Sequence, residues 1–76
     1  MIERRRFERL SPRESEVIDA VADGWTNVAI AAHLGIDIKT VEAHVGRAFR
    51  KLDLVPHADI DRRVLAAVSW HLADRG

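Results

Sequence analysis

The sequence has 76 residues, 47% of them apolar and 32% charged, with 12 basic side chains set against 12 acidic ones. Nearly half the chain can enter a core, which excludes a disordered polyampholyte. Zero net charge argues at first sight against a nucleic-acid binder, and the lack of cysteine excludes disulfides, thiolate nucleophiles and Cys-ligated metal sites.

The first nine residues, from Met1 through Arg4-Arg5-Arg6 to Arg9, are charged and carry no signal-like apolar stretch. Residues 1–9 therefore read as an N-terminal arm or linker, and residues 10–76 as one domain. Ser11-Pro12-Arg13-Glu14 is a capping box with proline at the first helical position. Val17, Ile18, Val21 and Ala22 follow at helical spacing and Gly24 supplies a left-handed stop, which predicts a first helix from about Pro12 to Asp23. Thr26 or Asn27 caps a short second helix carrying Val28, Ile30, Ala31 and Leu34, stopped at Gly35. Asp37 caps a third, from Ile38 to about Leu52, whose Val41, Val45, Ala48, Phe49 and Leu52 form one apolar face. The segment from Asp53 to His57 interrupts the pattern. A fourth helix is expected from about Asp59 to Asp74. No strand alternation is visible, so the expected class is all-α with four helices.

Two short helices joined through Gly35-Ile36-Asp37 form a helix-turn-helix candidate, in which the later helix presents side chains to the DNA major groove. Opposite its apolar seam that helix carries Lys39, Ala43, Gly46 and Arg50, with Glu42 and Arg47 at the borders. Thr40, His44 and Lys51 lie toward the Arg47 side. Ala43 can touch a thymine methyl, and Gly46 removes bulk where a backbone or base edge comes close. A solvated face would instead favour Glu, Lys or Gln, and glycine costs a free helix about 1 kcal/mol. The zero net charge also resolves into segments: residues 1–10 and 38–55 each carry +2, residues 11–37 carry −4, and residues 56–76 are neutral. Binding to phosphate follows the local field rather than the total.

The run Leu10-Ser11-Pro12-Arg13-Glu14 with Glu16-Val17 resembles the opening of the LuxR-type (GerE-like) helix-turn-helix domain. So do Gly24 to Asn27, Ile30-Ala31, Leu34, Lys39 to Val45, and Arg50-Lys51-Leu52. The tail Asp61-Arg62-Arg63-Val64-Leu65-Ala66 is most similar to output domains of NarL/FixJ-type response regulators in two-component systems. The resemblance implies a cytoplasmic bacterial transcription regulator that binds double-stranded DNA. Its third helix would be the recognition helix and its fourth the dimerisation helix. Base-facing positions would be Glu42, Ala43, Gly46, Arg47 and Arg50; phosphate contacts would fall to Thr26, Asn27, Lys39, Thr40 and Lys51. The chain departs from the family pattern at Val28, Glu42 and Gly46, where lysine or polar residues are common.

Ile60, Val64, Ala67, Val68 and His71 form a seam on the fourth helix that core packing or a two-fold dimer could use. Leu65 and Leu72 lie at its edge, placed to pack inward. Trp25 and Trp70 read as core-edge anchors. His33, His44, His57 and His71 show no ligand spacing, so no metal or cofactor is expected. The carboxylates of the first helix face solvent without a pocket, so no enzyme is read. No membrane or small-molecule partner is expected; RNA polymerase is a further candidate partner of such a regulator. The chain has no room for a receiver domain, so it reads as a piece of a longer regulator or a small stand-alone one. The competing readings are a sigma-factor-type promoter-recognition domain and a helix-turn-helix reused as a protein-interaction module.

Overall fold

The computed structural model describes residue 2, residues 4–54 and residues 61–75. A six-residue 3₁₀ helix (Arg4–Arg9) leads into α1 (Pro12–Ala22), α2 (Asn27–Leu34), α3 (Ile38–Lys51) and α4 (Arg62–Arg75). Among the described residues there is no strand.

Local signals explain where the helices begin. The Ser11 side chain accepts from the Glu14 amide while Glu14 accepts from the Ser11 amide, so the capping box is complete in both directions. The Thr26 hydroxyl accepts from the Ala29 amide and the Asp37 carboxylate from that of Thr40, each answering one of the amides a helix start leaves free. At the other ends, Gly35 takes a left-handed conformation (φ 69°) that closes α2. Beyond α3, the Asp53 and Leu54 amides bond back to the Arg50 and Phe49 carbonyls, a Schellman closure that places Asp53 itself at φ 59°. The last helix starts at Arg62 rather than near Asp59. Asp61 supplies the cap: its carboxylate accepts from the Arg63 amide and its carbonyl from Leu65.

The core is made by one face of each helix. Val17, Ile18 and Val21 of α1, Ile30 and Ala31 of α2, Val41, Val45, Ala48 and Phe49 of α3, and Ala66 of α4 are buried together. α1 is the central element, packed on α2, α3 and α4, while α2 packs on α3. The apolar area withdrawn from water in this way is the main stabilising term for so small a domain.

The N-terminal residues depart from the arm expected of them. Phe7 is only 9% exposed and meets Trp70 edge-on, with ring centroids 5.2 Å apart. The Ile2 amide donates to the buried Ser69 hydroxyl, and Arg6 reaches the end of α3. Two apolar residues, Ile2 and Phe7, among charged neighbours are enough to dock the segment once α4 offers Ser69 and Trp70. Trp70 also donates its indole N–H to Asp19, and Trp25 packs edge-on against His33.

Candidate nucleic-acid interface

With Val41, Val45, Ala48 and Phe49 turned into the core, α3 leaves Lys39, Glu42, Ala43, Arg47 and Arg50 exposed and Gly46 half-buried. All five residues predicted to face bases thus lie on the outward side of one helix. Among the described residues, none of Lys39, Glu42, Arg47 and Arg50 forms a salt bridge, so three cations and one carboxylate remain available on this surface. A Cβ built at Gly46 would meet only a guanidinium nitrogen of Arg50, at 3.6 Å. Among the described residues nothing requires glycine there.

The start of α2 borders this face. The Thr26 hydroxyl oxygen and the Asn27 amide oxygen already accept internal hydrogen bonds, from Ala29 and Arg63 respectively. Among the described residues their own donors, the Thr26 O–H and the Asn27 NH₂, remain for an acceptor such as phosphate oxygen. Arg63 also donates to the Trp25 carbonyl at 2.8 Å, and Arg62 lies over the Phe49 ring at 5.1 Å. Both arginines line a cleft of about 370 Å³ with Asn27, Glu42, Gly46 and Phe49. The sequence alone does not place Arg62 and Arg63 here, because only the docking of α4 brings them beside α2 and α3. Their one visible signal was an arginine pair directly after a capping aspartate.

Thr40 and Lys39 sit on the first turn of α3, where the Asp37 carboxylate occupies the Thr40 amide. That backbone hydrogen bond is the main reason the Asp37 carboxyl is held below its ordinary value. Any phosphate contact here would fall to the Thr40 hydroxyl and the Lys39 ammonium.

Lys51 is placed differently from expectation. Its ammonium lies 2.7 Å from Glu14, whose side chain is 4% exposed. Burial works to raise the Glu14 carboxyl, but bonds from Lys51 and the Ser11 amide, with the Lys51 charge, outweigh it and hold it below its ordinary value. Lys51 therefore neutralises a buried carboxylate while its own side chain stays 40% exposed. His44 is half-buried, with its Nδ1 atom enclosed and unpaired, which suits packing better than phosphate contact.

Away from α3, α4 exposes Val64 (59%), Val68 (45%) and Leu72 (49%) in one line at spacing i, i+4, i+8. Ala67 is half-buried beside them, and the ring of His71 meets the Ala22 carbonyl at 2.9 Å. Leu72 faces outward instead of packing in. Leu65 does pack against the core, and Ser69 and Ala66 complete the buried side of the helix. Ile60 lies outside the described residues. No helix among the described residues is long and apolar enough to cross a membrane.

Comparison with known proteins points the same way. The family described as "Bacterial regulatory proteins, luxR family" matches residues 8–60. The transcriptional regulatory protein TdiR of Thauera aromatica is 45% identical over 67 residues, covering 88% of this chain and 29% of its own. The oxygen regulatory protein NreC of Staphylococcus haemolyticus is 46% identical over 48 residues, 63% of this chain and 22% of its own. The tetrathionate response regulatory protein TtrR of Salmonella typhimurium is 35% identical over 57 residues, 75% of this chain and 28% of its own. The chain thus spans less than a third of the length of each of these relatives. No solved structure gives a significant match.

Proposed function

The chain belongs to the luxR family of bacterial regulatory proteins, and from that premise we propose that it binds double-stranded DNA sequence-specifically, as a dimer, on behalf of a transcription regulator of the response-regulator kind. The observation that carries this reading is the outward face of α3. It presents Ala43 and Gly46 between Lys39, Arg47 and Arg50, and the domain's own packing asks for neither the small residues nor the cations. Such a face suits a helix laid deep in a major groove, with small residues at the floor and cations toward the two backbones. Thr26 and Asn27 then meet one strand's phosphates at the start of α2, with Arg63 beside them in place of Lys51. Glu42 is suited to accept from a cytosine amino group.

The exposed line of Val64, Val68 and Leu72 favours a two-fold pairing through α4. A C2 contact buries the same apolar stripe on both copies, and two recognition helices would then address half-sites about 10 bp apart. Selection of binding sites from a random duplex pool tests the proposal. It predicts an enriched site with two related halves, whose affinity falls when the spacing between them is changed by half a helical turn. Enrichment of no sequence, with binding insensitive to spacing, overturns the specific, dimeric reading. Retention of a protein partner in the absence of any duplex binding would favour a protein-interaction module, the reading to which Glu42 and the exposed Val28 otherwise lend themselves.

A further inference from the structure

The end of α3 is held by a residue that lies ahead of the family match. Arg6 places one guanidinium nitrogen 2.7 Å from the Asp53 carboxylate and 3.4 Å from the Leu52 carbonyl, and Arg9 stands 3.9 Å from the same carboxylate. Asp53 is the one non-glycine residue at positive φ among the described residues, at the Schellman position where glycine is the usual occupant. Helix closure alone would be served better by glycine, so an aspartate kept in a left-handed conformation calls for a separate reason. The Arg6 guanidinium supplies one: a glycine at position 53 would leave it without the carboxylate it meets at 2.7 Å. Arg6 is itself fixed on the far side, because its neighbour Phe7 is buried against Trp70 and the Ile2 amide is bonded to Ser69, both on α4. Ile2, Arg6 and Phe7 therefore touch the C-terminal cap of α3 and the inner face of the proposed dimerisation helix together.

We infer that Arg6 and Asp53 are positioning residues that latch the C-terminal end of α3 to the N-terminal segment, so that duplex affinity depends on a pair making no contact with DNA. This inference rests on the DNA-binding reading and adds a control to it: whatever moves residues 2–9 alters the seating of α3 between the two surfaces.

The decisive variant is Asp53→Gly. It relieves the left-handed backbone and removes a negative charge, so helix closure keeps the melting temperature level or raises it, and electrostatics alone would tighten binding to DNA. The latch predicts the opposite sign for binding, about two- to fivefold weaker, the range set by a partly exposed ion pair. It also predicts an unchanged salt slope, since no phosphate contact is lost. Arg6→Gln should weaken binding as well in the parent, and should weaken it by less in the Asp53→Gly background, where the latch is already lost. Binding by Asp53→Gly that equals or exceeds the parent overturns the latch, as does an Arg6→Gln effect equal in both backgrounds. A parent chain that binds no duplex overturns the DNA reading and this inference with it.

Discussion

Replacing Gly46 by alanine separates what α3 needs as a helix from what it needs as a reading surface. Gly46 is the ninth of the 14 residues of α3, well inside both ends, and its φ is an ordinary helical one. An added methyl would meet only the mobile end of Arg50, at an ordinary contact distance of 3.6 Å. No described residue is therefore displaced by the methyl, and the helix gains the glycine-to-alanine difference of about 0.8–1 kcal/mol. In a domain of this size that gain raises the melting temperature by roughly 4–8 °C. If position 46 rests against a base edge or a sugar, the same methyl has to be accommodated in a packed interface, at about 1–3 kcal/mol. Duplex affinity should then fall by roughly fivefold to a hundredfold. Thermal melts followed by circular dichroism, and anisotropy with a labelled duplex, read the two effects on one preparation. A chain that is stabilised and binds as well as the parent would refute the placement of Gly46 against DNA. A destabilised chain would refute the account of its surroundings.

Lys51→Ala leaves the buried Glu14 carboxylate with only its Ser11 bond and should destabilise the domain by about 1–3 kcal/mol in urea unfolding. Because the Glu14 pKa is lowered by folding, its contribution is present above the ordinary value of 4.5 and is lost as pH falls through the folded value. The parent should accordingly lose stability in that acid range, and Lys51→Ala, with burial left less opposed, should show a shallower acid limb; superimposable limbs would refute the pairing. Val64→Asp places a charge in the exposed line of α4 and should abolish self-association in sedimentation equilibrium with little change in melting temperature. A variant that still dimerises would move the seam to another surface.

What the sequence disclosed and what it withheld divide by distance along the chain. Ser11 and Glu14, Thr26 and Ala29, and Asp37 and Thr40 are partners three residues apart, so helix starts could be read from single letters and their neighbours. The outward face of α3 is likewise legible, because helical spacing alone separates Val41 and Val45 from Ala43 and Gly46. The pairing of Lys51 with Glu14 is not legible in the sequence because the two lie 37 residues apart, and the docking of Ile2 on Ser69 is not because they are 67 apart. Exposed charge on a helix and charge answering a buried partner look the same in sequence. Leu72 was misplaced for a related reason. The rotation of α4 is decided by which residues α1 and the N-terminal segment can cover, and they cover Ala66, Ser69 and Trp70.

The most direct test of the central claim is the salt dependence of duplex binding. If α3 enters the groove with Lys39, Arg47 and Arg50 against the duplex and Arg63 beside the phosphates at α2, log K should fall linearly with log salt, by about 0.9 for each phosphate neutralised and so by roughly 3–4 for each domain. A flat profile, or no duplex binding at low salt, would contradict the account.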